Sequence, residues 1–214
     1  MINFRNFFGS ISIILVLSGC SSLDGNISNG RYYAPNKAFS FEVPYMYPHG
    51  AKRNDNFDRK FGEGEPKFET GSVSFSDDFG SLLCVDVVRF PEKLDVNDKA
   101  FLTSTEAATF KIYQEKFPKA EIVRQEFIQW NNRTAKYFVV HIPQGSAIVS
   151  GNGRMDVYKA MSAFMDEEYL YIFSTQSNYW DLFKKDASKE QIFEYMKDYL
   201  IKNMNTFETR QAGS

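Results

Sequence analysis

Few side chains in this 214-residue chain are of the types that carry out chemistry unaided, since it holds two cysteines and two histidines. Cys20 closes "LVLSGC", an apolar run ending in two small residues, so its chemistry is tied to whatever recognises that run. Cys84 lies in "LLCVDVVRF", a strand-like stretch in which a cysteine acts as a small buried apolar residue, with no neighbour pattern that would activate it. His141, in "FVVHIP", reads as a strand histidine satisfied by hydrogen bonds, and His49, in "YMYPHG", as an exposed loop residue. A zinc site would require these two to converge with added carboxylates. A serine nucleophile needs a base and an oxyanion hole, and no Gly-x-Ser-x-Gly elbow is present. "SGNGRMD" offers Gly151 and Gly153 but is followed by no Gly-Lys-Ser/Thr, so it reads as a hairpin tip and not a phosphate loop. In "NDNFDRKFGEGE", Asn54, Asn56, Asp58 and Glu65 fall at positions one, three, five and twelve of a calcium loop. Arg59 occupies the sixth position, where the sharp turn needs glycine, so a solvated loop is expected instead. The chain is therefore expected to have no catalytic, metal or cofactor-binding residues and not to be an enzyme.

The start of the chain carries a different kind of chemistry. "MINFRNFFGSISIILVL" has one positive side chain, Arg5, and then an apolar stretch from about Phe7 to Leu17. That length suits the apolar region of a signal peptide and is too short for a helix across about 30 Å of hydrocarbon. Leu17, Ser18, Gly19 and Cys20 resemble the lipobox of bacterial lipoproteins. The resemblance implies that the Cys20 thiol receives a diacylglycerol, that the bond before it is cut, and that the new amino terminus is acylated. Two or three chains, at about 0.8 kcal/mol per buried methylene, make membrane attachment lasting. In lipoproteins of the enteric type an aspartate after the cysteine favours the inner membrane, and Ser21 stands there instead. The resemblance thus implies the cell envelope, at the outer membrane and facing the periplasm where there are two membranes.

Composition narrows the function classes. Removing residues 1–19 from the 214 leaves 195, enough for one domain and a tether, and the loss of Arg5 takes the net charge from −2 to −3. No basic block suggests a nucleic-acid partner. With Cys20 lipidated, Cys84 has no partner within the chain for a disulfide, so stability must come from a core drawn from the 43% hydrophobic content.

The elements follow from punctuation and periodicity. "SSLDGNISNG" suits a flexible tether over residues 20–30, with a single globular domain over 31–207 and a tail over 208–214. "FSFEVP" alternates into a strand closed by Pro44, and Tyr45 to Gly71 loses periodicity and reads as a long surface loop. "SVSFSDDFGSLLCVDVVRF" predicts a hairpin turned around Asp77 to Gly80. Leu102, Phe110, Tyr113 and Phe117 share a helical face between Asp98 and Pro118. A hairpin turned at Asn131 and Asn132 follows, and "YFVVHI" is apolar on both faces, marking an interior strand. "VYKAMSAFM" and "YLYIFSTQ" pair around Asp166 to Glu168. Ser188 and Gln191 form a capping box for a helix with Ile192, Met196, Tyr199, Leu200 and Met204 on one face. The fold class is α+β, an antiparallel sheet of about six or seven strands flanked by helices.

This order of elements, with "FSFEVP" at its start and the apolar "NTF" of Asn205 to Phe207 at its end, resembles the PsbP-like fold over about Arg31 to Phe207. The resemblance implies shape and a habit of binding partners. The expected function is that of a membrane-anchored envelope lipoprotein acting as a non-catalytic protein-binding accessory or scaffold subunit. The alternative is a lipoprotein binding a glycan, a peptidoglycan fragment or a lipid on the aromatics of "RYYAP", "YMYP" and "SNYW", which otherwise belong to the core.

Overall fold

The computed structural model describes residues 25–35, 38–44, 52–57, 70–77, 80–145, 156–176 and 187–209. The strands are β1 (Asn26–Ser28), β2 (Arg31–Tyr33), β3 (Phe39–Glu42), β4 (Lys52–Phe57), β5 (Thr70–Asp77) and β6 (Gly80–Arg89), followed by helix α1 (Lys99–Lys116). Then come β7 (Glu121–Trp130), β8 (Arg133–Ile142), β9 (Val157–Asp166), β10 (Tyr169–Gln176), helix α2 (Lys189–Asn205) and β11 (Glu208–Thr209). They form a seven-stranded sheet in the order β4-β5-β6-β10-β9-β8-β7 and a four-stranded sheet β1-β2-β3-β11. Every pairing is antiparallel. The fold is α+β, as expected.

Local chemistry sets the turns. Asn131 and Asn132 both adopt positive φ, the conformation that closes a two-residue hairpin, and Trp130 pairs with Arg133 across it. Asn29 and Gly30 do the same between β1 and β2. Asp98 caps α1 by accepting from the Phe101 amide at 2.9 Å. Ser188 and Gln191 form a reciprocal capping box on α2.

The large sheet is covered on both sides because its central strands are apolar on both faces. Tyr137 and Val139 of β8 face α2 and the small sheet, while Phe138, Val140 and Ile142 face α1. Alternation by twos repeats this on β9, with Ala160 and Phe164 on one side and Met161, Ala163 and Met165 on the other. Ile192, Met196, Leu200 and Met204 of α2 bury the face read from the sequence, and Phe193 joins them. Phe207 lies 4.7 Å from Tyr171, 5.4 Å from Phe164 and 5.6 Å from Phe39, ring centre to ring centre. It locks α2 and the small sheet onto the large one.

Three expectations need correction. Residues 52–57, expected within a long loop, are edge strand β4, and β5 already begins at Thr70. "KRNDNF" alternates, but of the residues it turns inward, Arg53, Asp55 and Phe57, only the last is apolar. Asp55 accepts from the Gly25 amide at 2.7 Å and from the Tyr32 hydroxyl at 3.1 Å, so no apolar period is visible in the sequence. β1 lies inside the stretch expected as a tether, because Asn29 and Gly30 turn it onto β2. β11 lies inside the expected tail, where Glu208 and Thr209 pair with Ser40 and Phe39.

Gly71 sits opposite Phe57, and a Cβ built on it would fall 2.1 Å from the Phe57 ring. Gly71→Ala is expected to cost about 1–3 kcal/mol, read as a lower urea midpoint. An unchanged midpoint would mean that the ring is free to move aside.

Candidate functional site

Charged and polar side chains are set into several of the apolar strands, and each must find a partner, because burying an unpaired charge is costly. On β8, the Lys136 ammonium lies 2.9 Å from Glu106 of α1, with both side chains almost fully buried, and donates to Gln125 of β7 at 3.0 Å. It also sits over the Phe127 ring, 4.6 Å from its centre. This pair ties α1 to the β7 side of the sheet.

A second polar group gathers further along the same face. Cys84 and Asp86 project from β6, Ser174 pairs with Cys84 across β10, and Lys159 comes from β9 beneath Tyr113 of α1. The Cys84 thiol lies 3.7 Å from Asp86 Oδ1. Burial, reinforced by the Asp86 charge, pushes the thiol up to about 12. Burial also raises the Asp86 carboxyl, which Lys159 and Cys84 only partly offset. For Lys159, burial works against the charge, but Tyr113, Cys84 and Asp86 outweigh it and hold its pKa above the usual lysine value. Cys84 is therefore a half-buried thiol bonded to a carboxylate, where a plain apolar residue was expected, and at neutral pH it stays protonated.

His141 is satisfied by hydrogen bonds. Its Nδ1 lies 3.1 Å from Glu121, its Nε2 lies 3.0 Å from Asp156, and the ring stacks on Tyr158 at 4.8 Å. Asn54 and Asn56 are exposed on extended β4, which does not turn as a calcium loop does. Among the described residues no group of three His, Cys, Asp or Glu side chains is arranged to hold a metal. Tyr32 and Trp130 belong to the core, with the Trp130 indole donating to Asn205 at 2.8 Å. Cys20, His49, Asp58, Glu65, Gly151, Gly153 and the aromatics of "YMYP" and "SNYW" lie outside the described residues.

What remains available to a partner is the edge. β7 ends the large sheet, so one side of its backbone meets no other described strand. A bulge between Ile122 and Arg124 sends Ile122 toward α1 and Arg124 toward α2. Val123, the extra residue, is 38% exposed and Phe127 is 37% exposed, two of the four large apolar side chains exposed among the described residues. Beside them Arg124 bonds to Glu126 at 2.9 Å and to Glu194 of α2, and Lys197 reaches Glu126 at 2.9 Å. Burial works against the Glu126 charge, and Lys197 and Arg124 outweigh it, holding that carboxyl below the usual glutamate value. The edge is thus an apolar pair beside an ordered row of charges, a surface that can bind but holds no reacting group. Reading the sequence missed it, although the charges set inside apolar strands, Asp86, Lys136 and Lys159, were a visible signal that internal partners exist.

No protein-family profile matches the sequence, and no curated protein matches it. In structure the chain is similar to cyanobacterial PsbP (CyanoP) from Synechocystis sp. PCC 6803, at 12% identity and a TM-score of 0.49, over 91% of this chain and 98% of that one. It is similar to the Saccharomyces cerevisiae Ran-binding protein Mog1p at 10% identity and 0.46, over 88% and 96%. It is also similar to a protein from Bacteroides thetaiotaomicron VPI-5482 at 13% and 0.40, over 88% and 51%. At such identities the likeness is one of backbone arrangement alone.

Two outcomes test the buried polar groups. Glu106→Ala should cost about 3–5 kcal/mol in urea unfolding by stranding Lys136, and Glu106→Leu with Lys136→Met should recover most of the loss. A double variant as unstable as the single one would show that the pair is not what holds α1. In a Cys20→Ala chain, Cys84 should react with a thiol reagent at pH 8 roughly a hundredfold or more slower when folded than when unfolded in urea. Its folded pKa lies above the ordinary value of 9.0, so the thiol supports the fold below about pH 9 and that support is lost as pH rises toward about 12.

Proposed function

We propose that this chain is a lipid-anchored cell-envelope protein whose domain binds a protein partner along the β7 edge without catalysing a reaction. The observation that carries the reading is the exposure of Val123 and Phe127 on an edge strand whose flanking charges are already ordered. An extended strand of a partner adding to such an edge gains main-chain hydrogen bonds, and the alternate side chains supply specificity. The anchor rests on Leu17, Ser18, Gly19 and Cys20, and Ser21 favours the outer membrane, facing the periplasm, in a cell with two membranes.

Anchoring and binding fit together geometrically. The six peptide steps from Cys20 to Asn26, the first residue of β1, reach at most about 21 Å. A lipid on Cys20 would therefore keep the small sheet beside the bilayer and concentrate the domain near membrane-bound partners. Of the aromatics on which the glycan or lipid alternative rests, Tyr32 lies in the core, Tyr33 is partly exposed, and those of "YMYP" and "SNYW" lie outside the described residues.

Metabolic labelling with a fatty-acid probe should mark the wild type and not Cys20→Ala. A photocrosslinking residue at Phe127 should capture a discrete protein in cells, while the same residue at exposed Glu115 of α1 captures none. Equal labelling of Cys20→Ala would remove the anchor, and equal capture from residues 127 and 115 would remove β7 as the binding edge.

A further inference from the structure

The row of side chains along β7 is complementary to itself. We infer that the partner of this edge is a second copy of the chain, paired antiparallel to β7 about a two-fold axis through Gln125, which joins two seven-stranded sheets into one. The inference rests on the reading of β7 as the binding edge and names the occupant. With the axis at Gln125, Arg124 stands opposite Glu126 of the partner subunit, and Val123, at the bulge, comes beside Phe127 of the partner subunit. Opposite charges and apolar pairs on facing strands each stabilise an antiparallel ladder, and like charges weaken it. Both exposed apolar residues of the edge are covered in this one register.

Neighbouring registers do not share this property. A two-fold axis normal to the sheet keeps α1 on the side of the partner subunit's helix only when it passes through a residue. Moving it to Arg124 sets arginine against arginine, and moving it to Glu126 sets glutamate against glutamate. Charges on an edge strand ordinarily prevent pairing. Here the same charges select one register, and bonds to Glu194 and Lys197 hold them in place before the second copy arrives. The bulge falls at Val123, outside the central Arg124 to Glu126 segment that must be flat for the ladder to form.

Disulfide trapping of the full chain in its native membranes tests this, in a Cys84→Ala background that keeps Cys20 for the anchor. Gln125→Cys should give a species of twice the chain mass on mild oxidation, because residues opposite each other at the axis are about 4.5–5.5 Å apart between Cα atoms. Gln129→Cys should give none, since two copies of residue 129 would lie about 27 Å apart. Adding R124E or E126R to Gln125→Cys should cut the trapped dimer about tenfold in either variant alone, since both cross-strand pairs become repulsive. Co-expressing the two, differently tagged, should restore the cross-link between unlike chains, which also shows that both variants fold. Equal trapping at residues 125 and 129, no loss in R124E and E126R, or no rescue on mixing would overturn the inference. A discrete cross-link from residue 125 to a different protein would overturn self-pairing and leave β7 as the binding edge, whereas no cross-link of any kind would count against both readings.

Discussion

Two-sided burial of the central strands is the constraint on which the rest of the structure depends. β8 and β9 carry apolar side chains on both faces, so neither face can be left to water, and each needs its own cover. α1 supplies one cover. The other is composite, because α2 alone is too narrow for the remaining width, and the small sheet fills it with Tyr32, Phe39 and Phe41. Phe207 is where these two parts of the cover meet, in ring contact with both sheets. Arg31, reaching the Thr206 carbonyl at 2.6 Å and Glu208 at 3.0 Å, holds the chain end that carries it.

Covering both faces also explains why the interior holds charges at all. Lys136 and Lys159 are long enough to project from the sheet and meet groups on α1, or on the next strands, where a shorter apolar residue would leave the helix without a directional tie. A buried ion pair contributes little net stability, since desolvation offsets its attraction. It does penalise any other placement of α1, because a shifted helix would leave Lys136 unpaired in an apolar setting. The polar residues beneath α1 thus act on position more than on stability. Protonated Cys84 belongs to the same arrangement, as a donor to Asp86 and not as a nucleophile.

The two edges of the large sheet are handled differently. At β4 the inward Arg53 and Asp55 are polar, and Asp55 is spent on the Gly25 amide and the Tyr32 hydroxyl, so that edge is tied to the small sheet. At β7 the inward charges are tied to α2, while Val123 and Phe127 stay exposed. One edge is tied through Asp55 to the amino-terminal hairpin, and the other meets no further strand among the described residues and has its charges ordered. That asymmetry is why function, in a domain whose polar groups mostly satisfy each other, is read at β7.

Much of this was legible in sequence wherever the cause was local. Asp98, the Ser188–Gln191 box, the Asn131–Asn132 turn and the two-faced run "YFVVHI" each act through neighbours a few residues away, so their outcome follows from residue type and spacing. "KRNDNF" was not legible, because a strand with Phe57 as its one inward apolar residue, beside Arg53 and Asp55, shows no apolar period. β11 was not legible either, since a two-residue strand exists only through pairing with chain far away in sequence, and β1, three residues turned onto β2 at Asn29 and Gly30, is too short to show an alternation. The opposition of Lys136 to Glu106, the neutral state of Cys84 and the exposure of Phe127 all depend on which strands become neighbours. Sequence alone determined the local turns, caps and apolar faces and carried the lipid-anchor motif. Tertiary structure alone decided the partners of the buried charges and which edge stayed open, because burial and pairing arise from contacts between residues that the chain itself keeps far apart.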